Sequence, residues 1–153
     1  MNIYERLEQL SITLPEPPKR GGLYVPVKQS GNMLYVSGQV PNVNGVPAYT
    51  GKVGDTRTVE EAQEAARICA LNMLSALNEY LGDLNRIKGV VKILGFVQSA
   101  PGFNEQPKVI NAASQLFIDI FGDEGWHARS AVGTNELPLN VTVEIEGIFE
   151  LKE

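Results

Sequence analysis

The spacing of apolar residues along the chain predicts alternating strands and helices. Residues 23–29 and 33–40 are rich in β-branched and aromatic side chains and flank a turn-forming run at 30–32, which predicts an antiparallel hairpin. Three further segments are predicted to be strands because they are apolar or alternate with period two: 87–97, 128–132 and 141–151. The strand at 87–97 is apolar on both parities apart from Lys92, so we expect it to be covered on both faces.

Two segments carry apolar residues at helical spacing. The first begins at Thr58, where Glu61 three residues later completes a capping box, and it ends at Gly82. The second opens at Pro107, a residue type favoured in the first turn of a helix, and it ends before Gly122. The strands and helices together give the order β-β-α-β-α-β-β.

This order predicts one α+β domain over residues 1–153, with a mixed sheet that carries both helices on one face. Residues 1–21 are expected to add a short N-terminal helix and an extended arm rich in Pro and Gly. Residues 41–57 are predicted to be a long polar loop without strand or helix periodicity. Loops of this length are often functional or interfacial.

The face of the sheet opposite the helices is predicted to mix polar and apolar residues. Along the last strand Val143 and Ile145 alternate with Glu144 and Glu146, so the two glutamates point away from the helices. Tyr35 and apolar residues of the central strand would share that open face. Such a surface is too apolar for water and too polar for a core, so we expect a homo-oligomer with polar sites in its interface.

Charge and composition exclude several classes of function. The chain has 153 residues with 18 acidic and 13 basic side chains, a net charge of −5, which disfavours binding to nucleic acid. No apolar run approaches the roughly 18 residues that span a bilayer, and no signal peptide is visible, so a cytoplasmic protein without membrane contacts is expected. One Cys and one His cannot supply a disulfide or a Cys/His zinc site. We therefore expect any chemistry to rest on carboxylates, Arg, Tyr, Lys or backbone groups.

Polar groups interrupt three of the predicted strands, at Ser37-Gly38, Arg129 and Glu144. An Arg beside a Glu can hold a substrate carboxylate in a bidentate fork while the Glu activates a water. An ordinary ion pair between neighbouring strands is the alternative. Cys69 lies on a helical apolar stripe and is expected in the core. His127 is expected to be a loop residue.

Several motifs in order resemble the YjgF/RidA family of reactive-intermediate deaminases, formerly called endoribonuclease L-PSP. The resemblance runs from about Gly22 to Phe149. Its motifs are Gly31-Asn32, Ser37-Gly38-Gln39-Val40-Pro41, Ile110-Asn111-Ala112, Ala128-Arg129-Ser130 and Val143-Glu144-Ile145-Glu146. The sequence departs from the family pattern at His127, where the family has Pro, and at Ala131, where it frequently has Cys.

The resemblance implies a chorismate-mutase-like homotrimer with sites in the clefts between subunits. It implies that Arg129 grips the carboxylate of a 2-imino acid, that Glu144 activates the attacking water, and that no cofactor is needed. The other implied substrate-binding positions are Tyr24, Ser37, Gly38, Asn111 and the backbone at Ala131. Partners would be small 2-imino or 2-oxo acids. Two alternatives stay open: a non-catalytic trimer that binds small carboxylates as a regulator, and an endoribonuclease, which the charge of −5 disfavours.

Overall fold

A computed structural model describes residues 2–153. Its strands are β1 (Val27–Ser30), β2 (Met33–Gln39), β3 (Asn42–Val43), β4 (Val46–Pro47), β5 (Ile87–Gln98), β6 (Ala128–Thr134) and β7 (Val143–Leu151). Five of them form one mixed sheet in the order β1-β2-β7-β5-β6, in which only β5 and β6 run parallel. The predicted α+β arrangement is confirmed.

Three α-helices accompany the sheet: α1 (Ile3–Gln9), α2 (Val59–Leu81) and α3 (Gln106–Phe121). The hydroxyl of Thr58 accepts from the backbone N–H of Glu61, whose carboxylate accepts in return from the Thr58 N–H, so the predicted capping box is confirmed. Gly82 ends α2 in the left-handed region, with φ 75°. Helices α2 and α3 lie side by side on one face of the sheet.

The alternation along β7 decides what the two faces of the sheet carry. Val143, Ile145 and Phe149 are fully buried beneath the helices, and the Cys69 thiol on α2 lies 3.6 Å from the Val143 carbonyl oxygen in the core. The intervening Glu144 and Glu146 lie on the opposite, open face. The expected positions of Cys69 and of these glutamates are confirmed.

The first strand is shorter than the sequence predicts. It begins at Val27 instead of residue 23, because Pro26 has no N–H to donate to the sheet and the residues before it leave the ladder. Tyr24 and Val25 are consequently exposed. The last strand also begins later, at Val143, because Thr142 donates its backbone N–H to Tyr49 instead of to a strand of the sheet.

The expectation of an irregular loop at 41–57 is wrong in part. Strands β3 and β4 form a small antiparallel ribbon within it, closed by Asn44 and Gly45 with φ values of 53° and 80°. Positive φ at both central residues is the signature of a type I′ turn, which Asn-Gly favours. The Asn-Gly dipeptide is therefore a sequence signal from which this hairpin could have been predicted.

No helix within residues 2–153 has the length and apolar character needed to cross a membrane.

Gly95 in β5 tests how tightly α3 packs on the sheet. An added Cβ there would lie 2.5 Å from Cδ1 and 2.7 Å from Cγ1 of Ile110, a fully buried side chain on α3. We expect Gly95→Ala to lower the free energy of unfolding by about 1–3 kcal/mol, because the overpacked helix must shift. Urea denaturation measures the change.

The matched control is Gly21→Ala, since a Cβ at Gly21 meets only the Tyr24 hydroxyl at an ordinary 3.5 Å. Its unfolding free energy should stay within about 0.5 kcal/mol of the original. Equal stability of both variants would contradict the close contact between α3 and β5.

Candidate functional site

Four of the predicted site residues line one cavity on the open side of the sheet. Tyr24, Ser37, Gly38 and Glu144 all face this space of about 710 Å³, which we call the Glu144 cavity. Part of its remaining wall comes from the arm, at Pro18, Lys19, Arg20 and Gly21. The rest comes from the following residues: Pro26, Gln39, Val40, Asn42, Asn72, Pro138, Leu139 and Glu146. The structure therefore brings this group of predicted residues together.

Gly38 lets the Glu144 carboxyl group lie in the space that a side chain at position 38 would take. A Cβ at position 38 would collide with Oε2 of Glu144. The pairing of β2 with β7 shifts register between Val36 and Gln39, so Gly38 sits in an irregular part of the strand. Close approach of this kind is a reason for a glycine within a strand. Beside it, the Ser37 hydroxyl donates to the Val25 carbonyl at 2.7 Å and fixes the chain leading into β1.

The environment of Glu144 favours its protonated form more than water does. Burial raises the pKa of this carboxyl, and the nearby charge of Glu146 raises it further. The ion pairs within residues 2–153 are Arg57 with Glu61 and Lys88 with Glu150, so Glu144 has no cationic partner there. A half-buried carboxylate with a raised pKa takes up a proton more readily than an exposed one, which suits a general base.

Arg129 lies in a second cavity, on the helix side of the sheet. This space of about 430 Å³, the Arg129 cavity, is lined by Asn111, Ser114, Gln115, Ile118, Trp126, His127 and Arg129. The Nη1 atom of Arg129 donates to Oδ1 of Asn111 at 2.8 Å and to the Ser114 hydroxyl at 3.2 Å. Those bonds use both hydrogens of Nη1. Within the described chain neither Nε nor Nη2 has a hydrogen-bond partner, so this edge can bind a carboxylate side-on with two bonds.

Two residues that form hydrogen bonds behind Arg129, Ser114 and His127, are not among the predicted site residues. Ser114 follows Asn111 by three positions on α3 and therefore shares its face, a spacing that could have identified it. His127 lies in the loop just before β6, as expected, and its ring is hydrogen-bonded to Ser114. Ala131 also lies on this side and packs partly against the core.

Arg129 and Glu144 do not meet within one chain, so the expectation that an Arg and a Glu lie side by side is wrong for the single chain. Arg129 is in register with Ile93 of β5, whereas Glu144 is opposite Phe96, three residues further along. Parallel pairing with the buried Ile93 turns Arg129 toward α3, and the alternation of β7 turns Glu144 away from the helices. An ion pair between the two within a chain is excluded for the same reason.

The chain thus carries two separate cavities with complementary chemistry. The Arg129 cavity offers a cation with a free bidentate edge, and the Glu144 cavity offers a carboxyl group with a raised pKa. Within residues 2–153, no three His, Cys, Asp or Glu side chains form a group that could hold a metal ion. The chemistry open to these residues is anion binding on one side and proton transfer on the other.

Comparison with known proteins gives one consistent family. A family model described as "YjgF/chorismate mutase-like, putative endoribonuclease" matches residues 5–151. Protein TCP17 of Trypanosoma cruzi is 45% identical over 95% of this chain and 91% of its own length. The 2-iminobutanoate/2-iminopropanoate deaminase of Dermatophagoides farinae is 34% identical over 92% and 95%. A crystal structure of a protein of unknown function from Agrobacterium tumefaciens is 47% identical, with a TM-score of 0.89 over 99% of this chain and 92% of its own. The chain belongs to the YjgF/RidA family, with its chorismate-mutase-like α+β fold.

Proposed function

We propose that this protein hydrolyses 2-imino acids, of the 2-iminobutyrate or 2-aminoacrylate type, to 2-oxo acids and ammonia. The observation that carries the proposal is the pair of cavities: one holds Arg129 with a free carboxylate-binding edge, and the other holds Glu144 with a raised pKa and no cationic partner in the described chain. The relative from Dermatophagoides farinae that bears the name of this activity adds support. Tyr24, Ser37, Gly38 and Asn111 would shape the site around the substrate.

The reaction needs one carboxylate anchor and one proton carrier. Arg129 would hold the substrate carboxylate through Nε and Nη2, which fixes the position of the imine carbon. With the imine nitrogen protonated, Glu144 would take a proton from water as the hydroxide oxygen bonds to that carbon, and the C=N electron pair would become the lone pair of a neutral amino group. Glu144 would then give its proton to this leaving nitrogen. The C–N bond breaks and ammonia leaves, while the hydroxyl group gives its proton to Glu144, from which it passes to solvent, and becomes the 2-oxo group.

A site that uses both residues must draw them from two chains, because they lie on opposite faces of one sheet. We therefore propose a homotrimer in which the Arg129 cavity of one subunit meets the Glu144 cavity of the next. The open face of the sheet supports such contacts. Leu94, Phe96 and Ile148 are only partly buried on that face, and Tyr35 is 45% exposed. Apolar residues at the centre of a sheet usually have a covering layer.

A carboxylate-binding regulator is the second candidate, since the Arg129 cavity offers a bidentate edge for a carboxylate without help from Glu144. Under this alternative Glu144→Gln would leave affinity for 2-oxobutyrate unchanged, and the unaltered protein would show no turnover. The charge disfavours ribonuclease activity, because 13 basic residues against 18 acidic ones give the chain no excess of positive charge for RNA.

Removing either residue should abolish most of the activity. With 2-iminobutyrate generated in situ, we expect Arg129→Ala and Glu144→Gln each to lower kcat/KM by about 100-fold or more, through loss of the anchor or of the proton carrier. Glu150→Gln is the matched control, because Glu150 lies on the same strand and face and only pairs with Lys88. No acceleration by the unaltered protein, or full activity of Arg129→Ala, would overturn the proposal.

Mixing the two inactive variants tests whether the site lies between subunits. In a cyclic trimer any mixed assembly of Arg129→Ala and Glu144→Gln chains contains one interface with both native residues. Co-expression at equal amounts should therefore restore about a quarter of the original activity. The measurement is the deaminase rate of the co-purified mixture against each variant alone. A site built within one chain would give no recovery.

Glu144 should reduce stability at neutral pH, as expected for a residue retained for function. Its pKa is raised in the folded state, so its stabilising contribution is complete below the ordinary carboxyl pKa and is lost as pH rises through the raised value. The thermal midpoint of Glu144→Gln relative to the original should therefore increase across that range. Glu150→Gln should show no such gain, since it only removes an exposed ion pair. A difference in thermal midpoint between Glu144→Gln and the original that stays the same at every pH would contradict the raised pKa of Glu144.

A further inference from the structure

The Arg129 side chain is held by a chain of hydrogen bonds that continues beyond its direct partners. Ser114 Oγ, which accepts from Arg129 Nη1, lies 2.9 Å from Nε2 of His127. The other ring nitrogen, Nδ1, lies 2.6 Å from the carbonyl oxygen of Gly125. The His127 ring also packs edge-on against Phe117, with ring centroids 6.2 Å apart. The imidazole is therefore fixed in place on three sides.

The donors and acceptors permit only one order along this chain. A carbonyl oxygen only accepts, so Nδ1 of His127 must carry a proton and donate to Gly125. In the neutral ring Nε2 then accepts, and the Ser114 hydroxyl must donate to it. Because the Ser114 proton is used in this way, its oxygen lone pairs face Arg129, which has only donors. The sequence of bonds runs from Arg129 through Ser114 and His127 to Gly125.

The surroundings of His127 keep the ring neutral. Burial lowers its pKa, the bond to Gly125 opposes this effect in part, and the positive charge of Arg129 lowers the pKa further. The charged group that acts on the ring is Arg129 on β6, while α3 presents the Ser114 hydroxyl and the Phe117 ring. Neutral His127 is also the form whose Nε2 can accept from Ser114.

We propose that Ser114 and His127 are positioning residues that orient the guanidinium group of Arg129 for a substrate carboxylate. Both hydrogens of Nη1 lie in the guanidinium plane, so acceptors on both, Asn111 and Ser114, fix that plane and with it the direction of the Nε and Nη2 edge. With Asn111 alone the group can pivot about one bond. His127 acts through Ser114 and does not itself touch the carboxylate. The inference rests on the proposed function only in taking Arg129 as the carboxylate anchor.

Binding of 2-oxobutyrate to the full-length chain, measured by titration calorimetry, tests this proposal. Ser114→Thr keeps the hydroxyl, and Ser114→Val introduces a side chain of the same shape as threonine but without the hydroxyl. We expect Ser114→Val to raise Kd about three- to tenfold, the range for net loss of one ordinary hydrogen bond, because the lost bond orients Arg129 and does not touch the carboxylate, while Ser114→Thr stays within about twofold. In the deaminase assay KM should rise and kcat should change little, because Glu144 is untouched.

His127→Phe keeps an aromatic ring against Phe117 and removes both nitrogens. It should raise Kd as Ser114→Val does, and the double variant should lose no more than the larger single loss, because both residues act through one chain of bonds. Equal affinities of Ser114→Val and Ser114→Thr, or fully additive losses, would overturn the positioning role. Arg129→Ala separates the two proposals: if it weakens binding while the Ser114 pair does not differ, only this inference fails. If Arg129→Ala binds normally, the proposed function fails as well.

Discussion

The burial of one side of β7 beneath the helices is the constraint on which the rest of the structure depends. Val143, Ile145 and Phe149 are completely inaccessible, so the strand cannot slip by one residue without moving three apolar side chains out of the core and three glutamates into it. The same alternation places Glu144 against Gly38 in the Glu144 cavity. The position of the proposed base is thus a consequence of core packing, and the packing energy of the core holds it there.

The parallel pair β5 and β6 imposes the matching constraint on Arg129. Ile93 and Gly95 of β5 lie against the α3 side, and their partners Arg129 and Ala131 must face the same way. The register of β6 therefore fixes Arg129 on the helix side of the sheet, as the alternation of β7 fixes Glu144 on the open side. A single chain cannot bring the two together by a change of rotamer, because the sheet lies between them. If both residues act in one reaction, association of chains is part of the catalytic apparatus.

Much of this fold could be predicted from the sequence, and the parts that could not have identifiable causes. Thr58 with Glu61 and the alternation of β7 are local patterns, and local patterns predicted the two long helices, the order of elements along the chain and the face of Glu144. The separation of Arg129 from Glu144 depends on the register of β6 against β5, which no local pattern encodes. The start of β1 was misplaced because the apolar residues before Pro26 have high strand propensity but no place in the ladder.

The choice of partners for Arg129 resolves an apparent conflict between overall charge and function. A chain with a net charge of −5 repels small carboxylates at a distance, so attraction must come from a local field. A carboxylate partner for Arg129 would orient the guanidinium group equally well, but it would cancel the charge and compete for the edge that a substrate needs. Asn111 and Ser114 orient the group with neutral acceptors and leave its charge uncompensated. A neutral His127 behind Ser114 follows the same logic, since a charged imidazolium there would add repulsion against Arg129 without adding a contact to the substrate.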